Sequence, residues 1–357
     1  MALAAARQTP LSESSPDQVR LSLAAALTLG LAEGRFYRNA RLGCINLLLT
    51  YPGGCKANCA FCGLARESRI PSSDPRFQKF IRVTWKAYDL DEVVARCASA
   101  PPHVERVCVS MITHPRSKPD VLQVCRRVRQ GCHLPVSLLI APTLMKAADL
   151  EDMKAAGADR IGVAIDAATP ELFAQLRGKP AGGPHRWDHY WHIFEESARI
   201  FGQDMTGVHL IYGLGEKEKD LVLAMDRART MGGFTHLFCF YPERFSAMSA
   251  TPQPPASGYR RIQLARWLID HDQARAQDMA FDDQGRIIGF GVDQTAKEAA
   301  VASGKPFMTS GCVGASGEVA CNRPYGNERP GPDLRNYPFP LAQDDLALVR
   351  RQIEQYV

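Results

Sequence analysis

The sequence predicts an α/β fold: a complete or partial (β/α) barrel of parallel strands, with a helical lead-in before it and an irregular segment after it. Three observations carry this reading. From residue 45 onward, short β-rich runs alternate with longer amphipathic stretches six or seven times, an order that requires parallel pairing with right-handed crossovers. Several of the helical stretches run into a glycine (Gly131, Gly157, Gly202 and Gly232), the residue that most readily ends a helix. The first strand is followed by Pro52-Gly53-Gly54 and then cysteines, not by the G-x-G-x-x-G turn of an open dinucleotide-binding sheet.

The elements follow in order. Residues 1–33 read as a helical extension, because the stretch 21–32 is uncharged and suits a buried or amphipathic helix. No apolar run reaches the roughly 18–20 residues of a membrane span. Arg7, Pro10, Glu13, Pro16 and Asp17 interrupt what would have to be the apolar core of a secretory leader, so a cytoplasmic chain without a membrane partner is expected. The barrel is placed at 34–295. Its strands are expected at 45–51, 106–110, 136–140, 160–166, 206–212 and 236–241, with a further one at 286–290. Helices are expected at 118–129, 147–156, 187–200, 217–231 and 258–271. Residues 296–357 change character: glycine and proline become dense, and the segment closes in a short helix at 344–355. A long irregular stretch in a compact protein is functional or disordered. Cys312, Cys321, Arg323, Tyr325 and Tyr337 favour a folded, ligated loop.

Composition narrows the function classes. Of 357 residues, 45% are hydrophobic and 23% charged, which excludes a disordered chain. The formal charge of +5 is too mild to argue for a nucleic-acid partner, though it is compatible with docking an acidic one.

The eleven cysteines are unevenly spread. Cys97, Cys108, Cys125, Cys132 and Cys239 sit in apolar or helical patterns and read as small buried hydrophobes. Cys55, Cys59 and Cys62 form a C-x3-C-x2-C array on the loop leaving the first strand, which in a β/α barrel opens onto the catalytic face. Three thiolates on one loop wrap three corners of a four-iron cubane and leave the fourth iron open. Zinc is the alternative, but a zinc site closes with a fourth ligand, and no second C-x2-C pair or histidine lies at such spacing. Bacterial ferredoxin spacing differs as well.

With Phe61 just before its last cysteine, the array resembles the signature of the radical S-adenosylmethionine (SAM) superfamily, and the resemblance extends over roughly residues 40–295. It implies a [4Fe–4S] cluster held by Cys55, Cys59 and Cys62, and SAM bound at the open iron. It also implies reductive cleavage to a 5′-deoxyadenosyl radical, with electrons from a ferredoxin or flavodoxin, in a site from which the protein excludes water. His209-Leu-Ile211-Tyr-Gly213-Leu-Gly-Glu216 resembles the adenine-side motif G-x-I-x-G-x-x-E with its first glycine replaced, which puts Ile211 and Gly213 against the base; an ordinary strand end is the alternative. Asp166 matches a ribose-binding position, or else caps the helix beginning at Pro170. Arg177 matches a residue that neutralises the cofactor carboxylate, or else is a surface arginine. The superfamily's G-G-E segment is absent, and Ser110-Met-Ile-Thr113-His114 stands in its place.

Within the superfamily, Tyr51-Pro-Gly-Gly-Cys55 and Cys62-Gly-Leu-Ala-Arg66 most resemble the biotin synthase group. Biotin synthase itself draws a second cluster from strand cysteines. Cys108 matches one such place, but the strands at 136–140 and 206–212 carry no cysteine. The segment Ser310-Gly-Cys312, then Cys321-Asn-Arg-Pro-Tyr325 and Asn327-Glu-Arg-Pro330, resembles instead the tail of the two-protein lipoyl synthases. That resemblance implies an auxiliary iron–sulfur cluster on Cys44, Cys312 and Cys321, with Ser310 or Ser316 as a fourth ligand. It implies an octanoylated lipoyl carrier protein as partner, and a homologous second synthase subunit. A zinc or structural site, or unliganded thiols, are the alternatives for the late cysteines. For the reaction, the alternatives are a biotin synthase-like or cofactor-maturation radical enzyme on a different small substrate, or a non-catalytic barrel that binds a protein.

Overall fold

The computed structural model describes residues 14–68, 79–80, 82–324 and 331–356. The expectations placed on residues 1–13, on Tyr325 and on Asn327, Glu328, Arg329 and Pro330 lie outside the described residues.

The chain opens with strand β1 (Gln18–Ser22) and helix α1 (Leu23–Thr28), which corrects the expected all-helical extension. Val19 and Leu21 are fully buried while Arg20 between them is not, the period-two signature of a strand. Ser22 then caps the helix by accepting from the Ala25 N–H at 3.2 Å. Next come β2 (Cys44–Leu49), β3 (Lys79–Phe80), β4 (Val83–Asp89) and α2 (Leu90–Ala98). The βα alternation follows: β5 (Arg106–Ser110), α3 (Ser117–Cys132), β6 (Val136–Ile140), α4 (Ala147–Ala155), β7 (Ala158–Asp166), α5 (Pro170–Arg177), α6 (Trp187–Phe201), β8 (Thr206–Tyr212), α7 (Glu218–Thr230), β9 (Phe234–Cys239) and α8 (Ala256–Asp270).

Among the described residues, nine strands form one open sheet in the order β3-β4-β1-β2-β5-β6-β7-β8-β9. The six from β2 to β9 along that order pair in parallel, as the alternation requires, and make a partial barrel. β1, β4 and β3 extend its first edge in antiparallel fashion. The alternating pattern missed them because they precede or interrupt the βα repeat. The expected strand at 286–290 forms as β11 (Ile287–Gly289), but it pairs with β10 (Ala280–Phe281) in a separate two-stranded hairpin and does not join the barrel sheet.

Gly157, Gly202 and Gly232 follow their helices at positive φ, as a helix stop does. Gly131 does not end its helix. α3 runs through it to Cys132 and stops at left-handed His133 (φ 59°). A Cβ at Gly131 would lie 2.0 Å from Val94 Cγ1, so this glycine serves the close packing of α2 on α3.

The late segment is also less irregular than its composition suggests. α9 (Gln294–Ser303), capped by Asp293, fills the first part, and α10 (Gln343–Ile353) closes the chain. Between them, 304–324 and 331–342 fold back onto the sheet. Two fully buried arginines of α8 hold this tail: Arg260 donates to the Arg335 and Leu334 carbonyls (2.6 and 2.5 Å), and Arg261 pairs with Glu218 at 2.5 Å. Buried guanidiniums persist only when their N–H groups are matched in this way.

Candidate active site

The loop after β2 carries Cys55, Cys59 and Cys62, and the backbones of neighbouring loops pin it in place. Lys56 N–H donates to Thr113 O (2.7 Å), Ala60 N–H to Leu176 O (2.8 Å), and Met248 N–H to Ala60 O (3.1 Å). Asn58 adds a side-chain bond to Ala181 O at 2.7 Å. The three thiols face one cavity of about 290 Å³ that runs down the barrel interior, and Phe61, Asp166, Arg177 and Ile211 line it with them.

Asp166 and Arg177 are brought together, with Arg177 Nη1 3.0 Å from Asp166 Oδ2. Arg177 is 5% exposed; it donates to the Ala164 and Ile165 carbonyls and lies against the Phe173 and Tyr190 rings. Burial opposes the charge of this guanidinium, yet Asp166 and Cys59 hold its pKa above the ordinary value. Burial raises the Asp166 carboxyl, and Arg177 pulls it back. Burial likewise raises the Cys59 and Cys62 thiols, with Arg177 opposing the effect at Cys59. Binding to iron requires thiolates, so a metal would supply the stabilisation that burial withholds.

Gly213 does not line the cavity. Its N–H and that of Leu214 donate to the two oxygens of Glu216 (2.5 and 3.0 Å), which folds a turn at φ 104°. A Cβ there would lie 2.4 Å from Pro254 Cγ.

A second group of thiols lies at the opposite, N-terminal end of the strands. Cys44, the first residue of β2, packs with Cys312 and Cys321 from the tail, and Cys108 of β5 packs against all three. Cys108, Cys312 and Cys321 line the same cavity as the Cys55–Cys62 loop. The tail is latched there by Asn322, which accepts from Gly43 N–H (3.1 Å) and donates to the Arg41 and Pro338 carbonyls (2.6 and 2.9 Å). Gly43 permits this approach: a Cβ on it would sit 2.6 Å from Ala320 O.

The two expected serines are engaged elsewhere. Ser310 Oγ accepts from Leu237 N–H at 2.7 Å, and exposed Ser316 donates to Glu105. Burial pushes Cys44 well up, Cys108 to about 12 and Cys312 to about 11. Hydrogen bonding with Cys44, followed by Arg323 and Asn46, brings Cys321 down to about 6.

Of the lining residues, Asn46, Ser137 and His236 had no place in the sequence reading, whereas Cys108 was matched there to a strand-cluster position and His209 to the adenine-side motif. Asn46, Cys108 and Ser137 occupy one register across β2, β5 and β6, and His209 faces His236 across β8 and β9. Asn46 Nδ2 lies 3.8 Å from Cys44 Sγ and 3.7 Å from Cys321 Sγ, and His236 Nε2 lies 3.8 Å from Cys312 Sγ. The available signal was the strand period: in Arg-Val-Cys-Val-Ser, Cys108 alternates with Val107 and Val109, which are both fully buried. Cys239 also lines the cavity, whereas Cys97, Cys125 and Cys132 are buried core thiols as expected.

The triplet fits a cubane with one open iron, because the loop offers three thiols and no fourth cysteine or histidine. Among the described residues, no three His, Cys, Asp or Glu side chains converge as a single metal ion requires. A polynuclear cluster has no such requirement, since each thiolate binds a different iron. Among the described residues no helix is long and apolar enough to cross a membrane.

The radical SAM superfamily profile matches residues 49–228. No curated protein matches the chain. Among solved structures, the chain is similar to coproporphyrinogen III oxidase of Escherichia coli at 15% identity, covering 56% of this chain and 46% of that one (TM-score 0.38). It is also similar to the radical SAM methyltransferase TsrM of Kitasatospora setae, solved with tryptophan and aza-SAM, at 15% identity, covering 80% of this chain and 57% of that one (TM-score 0.40). The chain therefore spans less than two thirds of either, and likeness at these scores carries no argument about chemistry.

Proposed function

Because the chain belongs to the radical SAM superfamily, whose profile covers just over half of it, we propose that it inserts sulfur into an octanoyl chain borne by a lipoyl carrier protein, as a lipoyl synthase component. Membership implies a [4Fe–4S] cluster and SAM, for which Cys55, Cys59 and Cys62 are the ligands on the cavity loop. The observation that supports the finer reading is the second buried thiol group, Cys44, Cys312 and Cys321, at the other end of the cavity the triplet lines.

When bound, the two clusters and SAM supply a hydrogen-abstracting radical and a sulfide. Each C–S bond made replaces a C–H bond, the hydrogen leaves in 5′-deoxyadenosine, and the surplus electron stays on iron. The chain's own residues do the rest. Arg177 and Asp166 offer a charged pair for a cofactor carboxylate and ribose hydroxyls, while Phe61 and Ile211 offer apolar contact for a base. Leu48, Trp85 and Ile112 line the cavity with apolar surface suited to an alkyl chain, and such walls exclude the water that would quench a radical. The charge of +5 favours approach of an acidic carrier domain.

The test is anaerobic purification with iron and sulfide counting, followed by incubation with SAM, a reductant and an octanoyl-lysine peptide. Mass spectrometry is expected to show sulfur added to the peptide. Cleavage of SAM with one cluster per chain and no thiolated product would replace this reading with radical chemistry on another small substrate.

A further inference from the structure

The second thiol group holds one cysteine more than its resemblance implied, and its expected serine ligands are committed elsewhere. Ser310 Oγ is bonded to the β9 backbone, and Ser316 lies exposed beside Glu105. Cys108, in the middle of β5, instead packs against the group of Cys44, Cys312 and Cys321 and lines the cavity with the last two. We infer that Cys108 is the fourth ligand, so that four thiolates, drawn from β2, β5 and the tail, hold one iron–sulfur cluster at the floor of the cavity. This rests on the second-cluster reading given under the proposed function and names the ligand that completes it.

Two features of the surroundings support a cluster capped by four thiolates. Asn46 is 7% exposed, and its amide nitrogen reaches two of the four sulfurs at 3.8 and 3.7 Å. Neutral thiols repay an amide donor poorly, whereas cluster thiolates carry the charge that makes such N–H···S bonds worthwhile, and bonds of this kind tune iron–sulfur sites. A four-iron cluster with four thiolates is also a net anion, and it needs nearby positive charge in a buried site. Arg106, 2% exposed, has its backbone in register with Cys44 and donates through Nε to Val313 O, one residue beyond Cys312, but its two Nη groups are already paired with Asp159 at 2.7 and 2.6 Å. Arg323, two residues beyond Cys321, lines the cavity with a buried Nε that has no hydrogen-bond partner.

The experiment starts from the full chain carrying Cys55→Ala, Cys59→Ala and Cys62→Ala, which leaves only the second site. It is reconstituted anaerobically with ferrous iron and sulfide. Iron and sulfide are counted, and the cluster is examined by Mössbauer and EPR spectroscopy. The expected result is about four irons per chain. Adding Cys108→Ala should lose at least one iron or convert the signal to a three-iron type, while adding Ser310→Ala should leave content and spectra unchanged. Cys108→Ser, which preserves volume, checks that any loss is not unfolding: it should keep the fold by circular dichroism and still alter the spectra. Full iron content with unaltered spectra in both Cys108 variants, or loss in Ser310→Ala instead, overturns the assignment of Cys108 alone. A parent variant that takes up no cluster overturns the second-cluster reading together with it.

Discussion

Cys55, Cys59 and Cys62 come from a single loop whose backbone is tied to the end of α5 and to loops around residues 113 and 248, whereas Cys44, Cys108, Cys312 and Cys321 come from two strands and a tail far apart in the chain. The first group is organised by local spacing and held at the catalytic mouth. The second exists only once β2 has paired with β5 and the tail has docked beneath the partial barrel. Local spacing is readable from sequence, while a site assembled by tertiary contacts is readable only in fragments. The two groups should also fail differently when disturbed.

The largest expected effect breaks the comparison at the mouth. Replacing Cys55, Cys59 and Cys62 together by alanine should abolish 5′-deoxyadenosine formation. Product persisting under dithionite would show that the radical centre lies elsewhere. Next, Cys312→Ala with Cys321→Ala should leave SAM cleavage in place while removing thiolated octanoyl-lysine from the mass spectrum. If the double variant still thiolates, the second group is not the sulfur source.

A third variant sharpens the comparison without touching a thiol. Asn322→Ala removes three hydrogen bonds that latch the tail, at about 0.5–1.5 kcal/mol each, so a stability loss of about 2–3 kcal/mol is expected in urea unfolding. Iron at the second site should fall, and iron at the triplet should not. Equal loss at both would mean that the two ends of the barrel are not independent. The smallest effect is expected at Gly213→Val. The φ of 104° and the 2.4 Å approach to Pro254 Cγ predict a strain of about 1–3 kcal/mol in the turn that Glu216 holds. Calorimetric titration should show weaker binding of SAM, and an unchanged affinity would disconnect this turn from the cofactor.

The parallel half of the fold was legible because βα alternation leaves little choice of topology. Strands Arg106–Ser110, Val136–Ile140 and Thr206–Tyr212 fall where the apolar runs put them. β1 was hidden because Val19 and Leu21 run straight into the alanine-rich helix, so an uncharged stretch read as one element where Ser22 divides two. At the site, the triplet announced itself by spacing. Cys108 was left between two readings, a buried hydrophobe and a strand-cluster position, because one cysteine flanked by valines looks the same in sequence whether it faces helices or a cavity. Only strand register separates these cases. The serines came from the resemblance alone, and the structure shows Ser310 Oγ bonded to the Leu237 N–H of β9, a tertiary contact that no local pattern signals.

The docking of the tail under the barrel sets an order of maturation. A ribosome releases Cys44 first and Cys108 roughly two hundred residues before Cys312 emerges, which at about 5–20 residues per second is a wait of about 10–40 s after Cys108. The triplet is complete in one loop as soon as that loop is free of the exit tunnel, so iron can be delivered to it on a nascent chain. The floor site has half its thiols until Cys312 and Cys321 follow. On the two-cluster reading proposed above, its cluster would therefore be installed after the one at the mouth, and a shortage of iron would leave barrels loaded at one end only.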